Sequence, residues 1–317
     1  MRTIGKSLLA VDPDRRTAQS ARISVRRPRL GAWPVRLAWL VLPFVCGPAL
    51  GDALDGAGRP LQLVASAGMW AGWAGVLVAT LVPSTVSLTA LRLAAPAPVV
   101  ASAAAAVAGG APSGTEIVAL AGSLAVALVA LSPPVGEVFV DGSSYGDERR
   151  MPLRAPGPLL LGPVEVAWCV AAAGTAAGPL LLAAERWVAG GIALAAGPPA
   201  AWLAVRALHT LARRWVVFVP AGLVVHDPLA LVNAVLVRRE VLRSLGPAPA
   251  DTDALDLTRG ALGLALEIRL SEPVPVTLVR PPGGGVSVAN RSTDALLVAP
   301  SRPGTVLAEA RRRRLVV

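Results

Sequence analysis

Between about residue 31 and residue 210 polar side chains thin to isolated positions, and the apolar runs between them approach the 20 or so residues that cross a bilayer. The runs lie at about Leu37–Leu54, Leu61–Val82, Leu93–Ala108, Ile117–Leu131, Leu159–Ala183 and Val188–Leu208, and they predict six spanning helices. Pro43 and Pro48 interrupt the first, and Pro133-Pro134 closes the fourth. Two stretches read as loops: PSTVSLTALR before the third span, and GEVFVDGSSYGDERRMPLRAPG between the fourth and fifth. After Arg214 the period changes, and no membrane-length run returns. WVVFV and GLVVHD flank Pro220-Ala221-Gly222, where proline suits the first turn position and glycine tolerates re-entry into a strand. Further strands are predicted at Ala234–Val237, Val241–Leu245, Leu264–Leu270, Val274–Arg280, Val286–Ala289 and Ala295–Val298. SRPGTVLAEARRRR reads as a closing helix capped by Ser301, with arginines at its negative end.

The pattern divides the chain into a basic disordered arm at 1–30, a transmembrane helical domain at 31–210 and a β-domain at 211–317. The predicted fold class is an α-helical transmembrane bundle of about six helices, then a small antiparallel sheet or barrel with a C-terminal helix. Composition agrees: 54% of the 317 residues are hydrophobic and 16% charged, which sets the chain apart from an ordinary soluble domain. The richness in Ala, Gly, Pro, Val and Arg is what a GC-rich coding sequence gives, so alanine runs carry little structural weight.

The net charge of +10 is read first as a topology signal, since basic residues collect on cytoplasmic flanks. With the N-terminus inside, the inner segments hold the eight basic residues of the arm and Arg36, Arg92, Arg149, Arg150, Arg154, Arg206, Arg213 and Arg214. The outer loops hold only Arg59 and Arg186. That asymmetry predicts the cytoplasmic membrane, with both termini cytoplasmic.

Groups for catalysis are sparse. His209 and His226 stand in no metal-binding spacing, and Cys46 and Cys169 read as small core residues without CxxC or Cys/His spacing, so neither a metal nor a cofactor is expected. PPGGGVSV (281–288) lacks the lysine and hydroxyl of a phosphate-binding loop and reads as a hairpin loop. No G-x-S-x-G is present for a serine nucleophile. Glu165 is the one carboxylate placed well inside an apolar run, which makes it a candidate intramembrane functional group. The basic clusters Arg213-Arg214, Arg238-Arg239 with Arg243, and Arg311, Arg312, Arg313 and Arg314 are candidate contacts with inner-leaflet lipid. They lack the interleaved aromatics of a nucleic-acid surface, and no nucleic acid is expected.

RWVVFVPAGLVVHDP, the basic strand pair VLVRREVLRSLG, the strands GLALEIRL and VPVTLVR, and the closing DALLVAPSRPGTVLAEARRRR together resemble the bacterial pleckstrin-homology-like domains that follow transmembrane helices. Less specifically, the whole layout resembles actinobacterial multi-pass membrane proteins of uncharacterised function. PAPADTDALDLTRGA departs from the pattern and leaves the middle strand count open. The resemblance implies binding and assembly rather than catalysis. The expectation is a noncatalytic membrane-anchored scaffold with a protein partner and contacts to membrane lipids. The alternative is a transporter or permease subunit using Glu165.

Overall fold

A computed structural model describes residues 30–108, 112–279 and 288–317. The expected arm therefore lies outside the described residues, as does nearly all of the 281–288 loop. The helices of the first part are α1 (Trp33–Leu54), α2 (Arg59–Leu81), α3 (Thr85–Ala94), α4 (Pro96–Ala108), α5 (Gly114–Leu131), α6 (Pro133–Gly142), α7 (Pro163–Ala183) and α8 (Trp187–Ala212). Among the described residues six helical segments are long and apolar enough to cross a membrane, with α3 and α4 together forming the third. The chain is thus a multi-pass membrane protein by the length and composition of its helices.

Small residues set the closest contacts, as expected where lipid offers no hydrophobic drive between helices. A Cβ on Gly197 of α8 would stand 2.4 Å from the Gly174 carbonyl oxygen of α7, and one on Gly178 would stand 2.8 Å from the Leu194 Cα. Between α1 and α2, the Trp39 indole donates to the Trp73 carbonyl (3.0 Å) and the Trp73 indole to the Trp39 carbonyl (2.8 Å). Each indole N–H thereby finds an acceptor inside the apolar layer. Arg36 near the start of α1 donates to the Thr80 carbonyl at the end of α2 (2.7 Å), capping that helix from a neighbour.

Two sequence expectations fail in this part. PSTVSLTALR is not a loop: Ser84 caps α3 by accepting from the Ser87 N–H, and Arg92 lies inside the helix. The stretch between the fourth and fifth spans is also ordered. Pro133 and Pro134 start α6 rather than ending structure, because proline is tolerated in a first helical turn. Residues Arg149–Pro152 then form β1.

The rest of the chain makes β2 (Trp215–Val219), β3 (Gly222–His226), β4 (Val235–Arg238), β5 (Leu242–Pro247), β6 (Leu255–Asp256), β7 (Leu266–Val279), β8 (Val288–Val298) and α9 (Pro303–Arg312). One four-stranded sheet has the order β1-β2-β3-β4 and is antiparallel throughout. The other has the order β5-β7-β8-β6, with β6 parallel to β8. The β2–β3 hairpin is as expected, Val219 pairing with Gly222. Gly222 has φ +147, and a Cβ there would meet the Val237 carbonyl oxygen at 2.2 Å, so glycine serves both the turn and the close approach of β4.

Leu264–Leu270 and Val274–Arg280 were expected as separate strands, and so were Val286–Ala289 and Ala295–Val298. Each pair is one long strand instead, β7 and β8, with a register irregularity between Arg269 and Val274. The departure PAPADTDALDLTRGA supplies the two-residue β6. One core fills the space between the sheets, with Met151 from β1, Phe218, Leu223, Val237, Leu245, Ile268 and Leu296, closed by Val306 and Ala310 of α9. Ser301 does not cap α9: Arg302 occupies the cap position with no side-chain hydrogen bond, and Pro303 begins the helix.

Candidate functional site

The β unit is joined to the bundle by more than chain continuity. β1 comes from between the fourth and fifth spans, yet it pairs with β2, which follows the sixth. Behind β1 lies a set of buried carboxylates. Glu137 on α6, 5% exposed, accepts from Arg149 of β1 (2.9 Å) and from Arg302 before α9 (2.8 Å). Asp141 one turn later accepts from the Arg150 backbone N–H (2.9 Å) and the Ser144 hydroxyl (2.6 Å). Arg313, just past α9, donates to the Asp147 carbonyl, and its guanidinium lies over the Phe218 ring at 5.7 Å. Helix, edge strand and terminal helix are held as one polar joint whose buried acids each have basic or N–H donors.

Several arginines expected at lipid belong to this joint or to the β core. Arg214 is 1% exposed, and its guanidinium makes a two-point pair with Asp227 (2.8 and 2.7 Å) while donating to the Arg154 carbonyl. Arg214 is therefore not a lipid contact, contrary to expectation, because a fully buried side chain cannot reach headgroups. Arg312 and Arg313 bind Glu309 at 2.6 and 2.7 Å. Burial would raise the Glu309 carboxyl, but hydrogen bonds and charge from these two arginines outweigh it and hold it below its ordinary value. Arg239 is exposed and donates to the Arg313 carbonyl (3.0 Å). Arg213, Arg238, Arg243, Arg311 and Arg314 are exposed.

Glu165 is not well inside the span. It is the third residue of α7, exposed, and accepts a hydrogen bond from the Gly162 N–H at 2.9 Å, so its carboxylate closes the helix's first turn. Cys46 is buried, as a small core residue should be, whereas Cys169 is exposed on α7. His209 accepts or donates a 2.8 Å hydrogen bond with the Thr89 hydroxyl, linking α8 to α3.

His226 ends β3, stacked on Trp215 with ring centroids 4.8 Å apart. Its Nε2 is buried and has no hydrogen-bond partner among the described residues. Burial, then the charge of Arg213, lowers its pKa below the ordinary 6.5; Arg150 adds to the effect, and Asp227 opposes it. The unfolded chain therefore takes up this proton at higher pH than the folded one. The His226 contribution to stability is complete above about pH 6.5 and declines as pH falls through the folded-state pKa. Unfolding followed from about pH 8 to pH 5 should show this decline, and a His226→Phe variant, which keeps the stack and cannot titrate, should flatten it.

The open feature of the β unit is β4. It is the last strand of its sheet, and no described strand pairs with its outer edge. The Arg239 N–H bonds the Ala221 carbonyl, which fixes the alternation along the β3–β4 pair. Val237 and Val235 face β3 with their backbone groups, and those of Leu236 and Arg238 turn outward. Beside that edge lies a groove of about 430 Å³ lined by Asn233, Leu236, Arg238, Glu272, Pro273 and Thr277 among others. Its far wall is the middle of β7, where β5 has stopped pairing and Pro273 and Pro275 are tolerated.

The sequence reasoning missed β1, the acidic joint and the Arg214–Asp227 pair. The hairpin could have revealed the last of these: pairing Val219 with Gly222 sets Trp215 opposite His226, and hence Arg214 opposite Asp227.

No protein-family model matches the chain, and neither curated proteins nor solved structures yield a significant match.

Proposed function

We propose that the chain is a noncatalytic scaffold of the cytoplasmic membrane, whose β unit captures an extended segment of a protein partner by strand addition along β4. The observation that carries this reading is the outward-facing backbone of Leu236 and Arg238 beside a groove of about 430 Å³. Two sheets closed by a terminal helix also agree with the pleckstrin-homology-like layout that the sequence resembles. The acidic joint favours a fixed platform, since it ties the strands to α6 instead of leaving them on a single tether. The charged side chains within that joint and the β core are engaged in structural pairs, and Glu165 is engaged as a helix cap, so the transport alternative gains no support from its position.

The test follows from the alternation. Leu236→Pro removes an outward N–H and leaves the ladder to β3 intact, so the full chain should keep its unfolding midpoint. Val237→Pro removes a ladder donor and leaves the buried Leu223 carbonyl unpaired, at a cost of about 1–3 kcal/mol. A photo-crosslinker at Thr277 in cells should capture one partner in near-stoichiometric yield in the wild type. Capture should fall at least tenfold in Leu236→Pro and persist in the surface control Arg243→Ala. Equal capture in wild type and Leu236→Pro would rule out strand addition at this edge.

A further inference from the structure

Leu262 is 76% exposed and Leu264 is 49% exposed, both in the turn before β7. On the other side of a shared contact, Leu160 is 46% exposed and Leu161 is 85% exposed, immediately before α7 begins at Pro163. Large apolar side chains gathered at one place on a folded surface mark a site of interaction.

The two leucine pairs are locked together. The Gly157 N–H donates to the Gly260 carbonyl (3.0 Å), and the Arg154 guanidinium donates to the Leu262 carbonyl (2.7 Å). Gly157 is packed so closely that an added Cβ would stand 2.8 Å from the Gly260 oxygen and 3.3 Å from Leu262 Cγ. Gly260 and Gly263 take positive φ values of 75 and 95, which shape the turn around Arg154 and Pro158.

This geometry ties the turn to the chain that leads into the fifth span. Gly157 opens a short 3-10 helix ending at Leu160, and α7 begins at Pro163. Leu262 is thus held against a residue six positions before the start of that span. Residues 154–164 and 259–264 contain two arginines, Arg154 and Arg259, and the neighbouring carboxylate, Glu165, is held by the Gly162 N–H. Both guanidiniums are engaged with backbone carbonyls, which leaves the leucines as the face presented to the bilayer.

We propose that the turn Ala261–Leu264 inserts Leu262 and Leu264 into the bilayer interface beside the start of α7, continuing the lipid-facing belt of the helices onto the β unit. The occupant of this surface is lipid, and the inference holds whether or not β4 takes a partner. It gives the β unit a fixed tilt against the membrane from a third point, additional to β1 and the chain after α8.

The experiment uses the full chain in phosphatidylcholine–phosphatidylglycerol proteoliposomes, with Cys46→Ala and Cys169→Ala as background. An environment-sensitive fluorophore is placed on Leu262→Cys, and in a parallel sample on Leu161→Cys. Shallow nitroxide-labelled lipid should quench position 262 to within about twofold of position 161, and added iodide should quench it little. Strong iodide quenching without lipid quenching would overturn the proposal, because the turn would then face water. Protection from both quenchers would also overturn it and point to a protein cover, such as a second copy. Absence of lipid quenching at position 161 itself would instead contradict the membrane placement of α7, so the two failures are distinguishable.

Discussion

Asp227→Ala should destabilise the β unit by about 3–5 kcal/mol, because it strands the Arg214 guanidinium in a site that water does not reach. The side chains of the pair are 1% and 0% exposed, so solvent screening offers no relief. By mass action that loss raises the open population more than about 100-fold. Limited proteolysis of the detergent-solubilised chain reports that population directly, when opening is fast relative to cleavage. Removing both charges with Arg214→Met and Asp227→Leu should recover most of the loss, since a buried pair contributes little beyond an apolar pair of similar volume. A single variant as resistant as the wild type would mean that Arg214 is not buried in the folded protein.

The second large effect is expected in the bundle. Gly197→Leu places a branched side chain where a Cβ alone would stand 2.4 Å from the Gly174 carbonyl oxygen. Backbone on the facing helix cannot rotate away, so α7 and α8 must separate, at a cost of about 1–3 kcal/mol or more. Gly191→Leu on the same helix is the matched control, because nothing lies within 4 Å of its added Cβ. The control should be neutral or slightly stabilising, as a leucine facing lipid improves both partitioning and helix propensity. Thermal unfolding of the two variants in one detergent measures the contrast.

What could be read in the sequence follows from the range of the forces involved. The six spans were legible because each is a local property: enough consecutive apolar residues to cross a bilayer. The β2–β3 hairpin was legible for the same reason, its turn chemistry lying within Pro220-Ala221-Gly222. β1 was not, since RRMP has neither alternation nor β-branched residues and becomes a strand only because β2 offers it an edge. Leu264–Leu270 and Val274–Arg280 read as two strands, yet β7 runs through Pro273 and Pro275, which are tolerated there because β5 pairs only as far as Leu270.

The candidate site divides in the same way. Counting arginines located basic clusters but could not separate exposed Arg213 from buried Arg214, its neighbour, because Arg213 sits at the end of α8 while Arg214 leads into β2 and is covered by its pair with Asp227. Arg92 looked like loop charge until Ser84 was found to cap the helix containing it. Glu165 looked intramembrane because the apolar run begins before the helix does. Leu159, Leu160 and Leu161 belong to the 3-10 turn and linker, and α7 starts only at Pro163.

The account depends most on β1, the strand that joins the loop between the fourth and fifth spans to the sheet after the sixth. The Leu153 N–H bonds the Arg214 carbonyl, so alternation makes Arg150 and Val217 a facing pair without mutual backbone hydrogen bonds. Such pairs bring their Cα atoms within disulfide range. The measurement is oxidation of Arg150→Cys/Val217→Cys in membranes, in a background lacking Cys46 and Cys169, with a protease site inserted between α7 and α8 at the exposed Glu185-Arg186. The account predicts that the two halves stay joined after cleavage until a reductant is added. Fragments that separate without reductant would show that β1 does not pair with β2, and the fixed platform would be lost with it.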